Sequence, residues 1–143
     1  MDYSYIIIPI IVVIASQAIK LLTDKIKGNF DLKNLFQSYG GMPSSHTAFA
    51  VSMTTLIGLQ LGFDAPIFAL ALVLTLIIIN DALVFRNFLG RQATRLNQLI
   101  KKSPTGAIRD LPPLREQMGH SGLEVLAGAV WGIVITYFLN LLR

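Results

Sequence analysis

The chain has no cysteine, which excludes disulfides and thiolate metal sites. Charge is scarce as well. Of its 143 residues 14% are charged against 53% hydrophobic, and four stretches carry no charge at all. These are Tyr3 to Ile19, Thr47 to Phe63, Ala65 to Asn80 and Val125 to Leu142. Each approaches the roughly 17 to 25 residues that a helix needs to cross a bilayer. They also lack the polar stripe that a soluble helix keeps toward water, so the chain reads as an integral membrane protein rather than an apolar soluble bundle. Only Asp2 precedes the first stretch and no small-residue cleavage site follows Lys20, which speaks against a cleaved signal peptide. Internal repeats and low-complexity tracts are missing too.

What is present organises as one all-α membrane domain over residues 1–143, a helical bundle with about four spans. The spans read as roughly 3–22, 46–62, 66–84 and 121–142. Gly62-Phe63-Asp64-Ala65 is so short a link that the second and third spans form a helical hairpin. The connections 23–45 and 85–120 are long and fall on one side of the membrane. Eleven of the 12 cations lie on that side, and Arg143 alone lies opposite. By the positive-inside rule the long connections are cytoplasmic and both termini are outside, as in a bacterial inner membrane. A net charge of +4 suits anionic headgroups, and no nucleic-acid-binding motif accompanies it.

Residues 85–102 read as an interfacial amphipathic helix, with Phe85, Phe88, Leu89, Leu96, Leu99 and Ile100 at helical spacing. Ser103-Pro104-Thr105-Gly106 is a turn and Pro112-Pro113 a break. Asp81 and Arg86 fall at the membrane border. Five residues apart, they lie slightly beyond ideal helical pairing. Asp81 reads as a structural tie to a basic residue, or as a support for Lys20 or Arg115. The stripe from Gly128 to Gly132 lets helices approach closely, either within the bundle or in a homo-oligomer.

Both histidines of the chain, His46 and His120, stand where a long connection enters a span, each among small or hydroxyl residues. They share one membrane face and can converge there. Ser44 or Ser45 can cap the second span, whose free N–H groups then form an anion site. Lys20, Lys27 and Arg115 supply nearby positive charge. Glu124, one helical turn beyond His120, can accept a hydrogen bond from the ring and leave the other nitrogen as a nucleophile. His46 is then placed to protonate a leaving oxygen. A plain helix cap is the bland reading of each histidine alone. Zinc held by both histidines and Glu124 is a rival that leaves the serines, glycines and cations unexplained.

Gly41-Met42-Pro43-Ser44-Ser45-His46 resembles the Pro-Ser-Gly-His motif of the type 2 phosphatidic acid phosphatase superfamily, which includes the vanadium haloperoxidases. GGMPSSHTA, NDALVFRNFLGRQATRLNQL and LREQMGHSGLEVLAGAVWG, with Gln17 and Lys20, are similar to its small divergent bacterial and plant branch. The resemblance implies hydrolysis of a phosphate ester through a phosphohistidine, with no metal or cofactor. It makes His120 the nucleophile, Glu124 its orienting carboxylate, Arg115 a phosphate ligand and His46 the proton donor. Ser45 stands in place of the glycine whose N–H cradles phosphate.

The chain departs from the family pattern at identifiable places. Where the family has Ser-Arg, five residues, His, three residues and Asp, this chain has Leu114-Arg115, four residues, His120, three residues and Glu124. Where it has Lys, six residues and Arg-Pro, this chain has Lys20 followed by Lys27-Gly28. The expected substrate is a lipid phosphate or pyrophosphate. The alternatives are a non-catalytic binder or carrier of phosphorylated lipid and a structural membrane subunit.

Overall fold

A computed structural model describes residues 3–26, 41–103 and 111–143, with side chains of the first stretch described as far as Leu22. Lys27, Gly40, Arg109 and most of the 103–106 turn lie outside the described residues. Among the described residues there are four helices and no strand. We number them α1 (Ser4–Ile26), α2 (Ser45–Leu61), α3 (Pro66–Lys102) and α4 (Gly122–Leu141). The protein is thus an all-α membrane bundle. Ser4–Leu22, Pro66–Lys102 and Gly122–Leu141 are long and apolar enough to cross a membrane. At 17 residues α2 is shorter, about 26 Å at 1.5 Å per residue.

Helix α2 is the centre of the bundle and packs against all three others, whereas α1 and α3 hardly touch. Its sequence explains this position, because hydroxyls on different sides of α2 each meet a different neighbour. Ser16 of α1 donates to Ser45 Oγ at 2.9 Å, Thr54 meets Thr75 of α3 at 2.8 Å, and Thr136 of α4 donates to Ser52 at 2.6 Å. In an apolar surround each such bond contributes on the order of 0.6 kcal/mol, so the three specify register more than they add stability. Close approach of α4 depends on its glycines. A Cβ on Gly128 would lie 2.5 Å from the Ser44 carbonyl oxygen, and one on Gly132 would lie 2.7 Å from that of Ala48. The small-residue stripe is therefore a packing surface inside the bundle.

The hairpin link is as short as expected. Gly62 ends α2 at φ 97°, and Pro66 starts α3 where its missing N–H costs nothing. At the other end of α3 the amphipathic helix expected over 85–102 is present as Arg86–Lys102, and it continues the third span without a break. Residues Asp81–Phe85 form a single π turn between the α-helical stretches Pro66–Asn80 and Arg86–Lys102. No proline or turn residue interrupts this stretch, so the helix absorbs the change in polarity by widening instead of ending. Its 37 residues span about 55 Å against a hydrocarbon core of about 30 Å, so the polar second half extends past the core.

Candidate functional site

The site lies where α1, α2, the π turn and the start of α4 come together. Segment 111–121 runs without regular structure along the second half of α3 and is fixed to it by one face of that helix. Asn97, 5% exposed, brackets Leu114: its side-chain N–H donates to the Leu114 carbonyl and its oxygen accepts the Leu114 N–H, both at 2.8 Å. The same amide donates to Glu116 Oε1 at 2.8 Å, and Thr94 donates to Glu116 Oε2 at 3.0 Å. These two hydrogen bonds, with a smaller contribution from Lys101, hold the Glu116 carboxyl below the usual carboxylate range. Gly90 lets the Glu116 carbonyl close in, and Gly119 does the same for Asn87. Asn87 then donates to the His120 carbonyl at 2.9 Å, and the Ala82 carbonyl of the π turn accepts the His120 N–H at 3.1 Å.

This docking face consists of Asn87, Gly90, Thr94 and Asn97. The sequence reading of α3 followed its apolar residues and missed it. Phe85, Phe88, Leu89, Leu96 and Leu99 are exposed, while Gly90, Ala93 and Asn97 are buried. The available signal was a row of small and amide residues three and four apart, on a helix whose more conspicuous stripe is greasy.

His120 is 3% exposed, and neither ring nitrogen has a hydrogen-bond partner among the described residues. Burial lowers its pKa below the ordinary 6.5, with the charges of Lys20, His46 and Arg86 acting in the same direction and Glu124 opposing. Arg86, Lys20 and Asp81 are also the charged groups that act on His46. Lys20 passes Gly41, with its Cδ and Cε 3.9 Å from where a Cβ would stand. Five expected site residues are therefore gathered together: Lys20, His46, Asp81, Arg86 and His120.

Other expected residues hold different positions or make different bonds. Glu124 does not orient the His120 ring. Its oxygens accept the N–H groups of Gly41 at 2.9 Å and Ser121 at 2.8 Å, and Ser121 Oγ in turn accepts the Glu124 N–H at 3.3 Å. This is a capping box that closes the start of α4. It also ties in the glycine turn before α2, since Ser44 N–H donates to the Glu124 carbonyl at 2.9 Å. A carboxylate at the third position of a helix is better placed for those backbone donors than for a ring four residues back.

Ser44 does occupy the N-cap of α2, yet its hydroxyl does not cap the helix and accepts instead from Thr47 Oγ1 at 3.0 Å. The start of α2, with the site's cations around it, thus has no side-chain cap, while the start of α4 is closed. Ser45 Oγ is engaged with Ser16, which leaves its backbone N–H as the group relevant to an anion. Arg115 is exposed on the docked segment, and the arginine whose charge acts on both histidines is Arg86. Lys27 lies outside the described residues. Among those residues no three His, Cys, Asp or Glu side chains are grouped to hold a metal.

Asp81 and Arg86 pair at 2.6 Å. In a π turn the hydrogen bonds run from i to i+5, and Arg86 N–H bonds the Asp81 carbonyl. Residues five apart are thereby stacked as residues four apart are in an α-helix. A spacing awkward for an ordinary helix is the natural one here.

Fold and site define a small helical membrane protein with both histidines gathered near Lys20, Asp81 and Arg86 at one end of the bundle. The comparisons are consistent with this class: the family described as "Divergent PAP2 family" matches residues 1–135, and the chain belongs to it. The membrane protein YuiD of Bacillus subtilis (strain 168) is 34% identical over 117 residues, covering 74% of this chain and 74% of that one. No solved structure matches the chain.

Proposed function

We propose that the protein hydrolyses a lipid phosphate or pyrophosphate through a phosphohistidine on His120, without a metal, at the cytoplasmic face of a bacterial inner membrane. The observation that carries this reading is a buried imidazole whose nitrogens have no partner among the described residues, set among Lys20, Arg86 and His46. A buried polar group left unmatched costs about 1–3 kcal/mol, so such an arrangement suits a site completed by its ligand. The lowered pKa keeps the ring neutral near pH 7, as a nucleophile must be. A His120 nitrogen attacks phosphorus, the bond from phosphorus to the ester oxygen breaks, and His46 gives that oxygen its proton. Water then attacks the phosphohistidine and releases inorganic phosphate. The uncapped N–H groups of α2, with Lys20 and Arg86, neutralise the anion.

A second reading is favoured by one observation. Both Glu124 oxygens hold backbone groups, so among the described residues no carboxylate fixes the tautomer of His120. A site of this kind can bind phosphorylated lipid without cleaving it. Purified protein assayed on a panel of lipid phosphates separates the two. Hydrolysis that is lost in His120→Ala, together with an acid-labile labelled phosphate on His120, is the expected result. Wild-type turnover in His120→Ala defeats the mechanism, and binding without phosphate release establishes the binder.

A further inference from the structure

We infer that the cleft between α1 and α3, floored by α2, is a lateral port for the hydrocarbon chain of the lipid, and that Arg86 takes its phosphate headgroup at the polar end. The inference rests on the phosphate-ligand reading above and adds to it the route and the residues that recognise the chain. Because α1 and α3 hardly touch while both pack on α2, a gap remains between them with α2 behind it. That gap encloses about 770 Å³, within the range of small-molecule sites.

The lining of the cleft changes character along its length. Ile10 and Ile14 of α1, Phe49 of α2 and Ile77 of α3 form its apolar part. Gln17, His46, Asp81 and Arg86 form the other end. Ile10 lies about 10 Å from Gln17 along the helix axis, so a stretch of chain on that scale fits beneath the head. An amphiphile fits this gradient, and a soluble phosphate ester leaves the greasy half unfilled. The comparable gap on the opposite side of α1, against α4, is about 620 Å³ and is lined by Ile19, Met42, Leu126 and Val130 with no charged side chain. Among the described residues it offers a phosphate headgroup no charge.

Arg86 is suited to its role by the π turn. The turn stacks Arg86 on Asp81, and the 2.6 Å bond from Nε to the carboxylate fixes the plane of the guanidinium. Arg86 is also the arginine whose charge reaches both histidines. A planar fork held in this way recognises a phosphate in two directions at once, which an ammonium cannot do.

The test uses full-length His120→Ala in phospholipid nanodiscs, so that catalysis does not consume the probe. The probe is phosphatidic acid with a photoreactive group in one chain, and phosphatidylcholine with the same chain is the control. Cross-links are expected to map to Ile14, Phe49 and Ile77, at least fivefold above the control lipid. Ile14→Trp, which fills the cleft, should reduce them about tenfold, whereas Val130→Trp in the other gap should not. Arg86→Met should erase the preference for phosphatidic acid, and Arg86→Lys should restore only part of it. Labelling centred on Leu126 and Val130, equal labelling by both lipids, or indifference to Ile14→Trp overturns the port. Phosphate release from wild-type protein is measured separately. Its absence with labelling intact defeats hydrolysis and leaves the port standing, and turnover with labelling elsewhere defeats the port alone.

Discussion

Asn97 and Glu116 carry a larger share of this site than their distance from the histidines suggests. Through Asn97 three hydrogen bonds reach the segment that delivers His120, and all of them depend on an amide with one donating and one accepting end. Asn97→Asp removes the donor and sets a carboxylate against Glu116 and the Leu114 carbonyl. It should cost about 1–3 kcal/mol of thermal or denaturant stability and weaken lipid-phosphate binding more than it disturbs helix content. Circular dichroism beside a binding titration checks this. Glu116 adds a pH dependence. Its folded pKa is depressed, so its contribution is present above the ordinary value of 4.5 and lost as pH falls through the lower folded value. Hydrogen exchange at 114–120 should therefore accelerate in acid, and Glu116→Gln should remove that pH dependence. His120 titrates by the same rule for a base with lowered pKa. The native state favours the neutral ring, and that contribution is lost as pH falls from 6.5 toward the folded value. Turnover should hold at pH 6.5 and fall only below it, and the acid-labile phosphate on His120 should form with the same acid limb.

At the scale of elements, the glycines of α4 set how near the starts of α2 and α4 come. A side chain at Gly128 meets backbone, the Ser44 carbonyl, and backbone yields less readily than a flexible side chain. Gly128→Val should cost about 1–3 kcal/mol through overpacking. It should also loosen the Ser44 bond to Glu124 and thereby separate the turn before His46 from the start of α4. A lowered melting temperature with reduced phosphate-ligand binding is expected, while Gly122→Ala, where a Cβ meets nothing, should change neither.

The helices themselves were legible in sequence because long uncharged runs admit no other reading, and the hairpin because Gly62 and Pro66 bracket so few residues. The π turn was not legible. Nothing in Asn80-Asp81-Ala82 distinguishes it from an α-helical stretch, and only the five-residue spacing of Asp81 and Arg86 hinted at it. The role of Glu124 was misread because residue spacing gives proximity to His120 without saying which donors compete for the carboxylate.

For the whole molecule, the charge asymmetry and the site lead to one question of orientation. Both helix entries at the site, the π turn and the docked segment 111–121 lie at the end of the bundle that, among the described residues, carries Lys20, Arg86, Arg91, Arg95, Lys101, Lys102 and Arg115. The opposite end holds the α2–α3 link and a polar tie in which Gln60 donates to Asn140 at 3.0 Å and Arg143 donates to Ser4 at 3.1 Å. Positive charge resists export across an energised membrane, so the cation-rich end should stay in the cytoplasm. The site then opens to the cytoplasmic leaflet, from which a lipid phosphate would enter between α1 and α3. A periplasm-active reporter fused after Arg143 should be active, and one inserted in the 85–120 connection should not. The reverse pattern would turn the port toward the outer leaflet and change which pool of lipid the protein meets, while leaving the chemistry at His120 as argued.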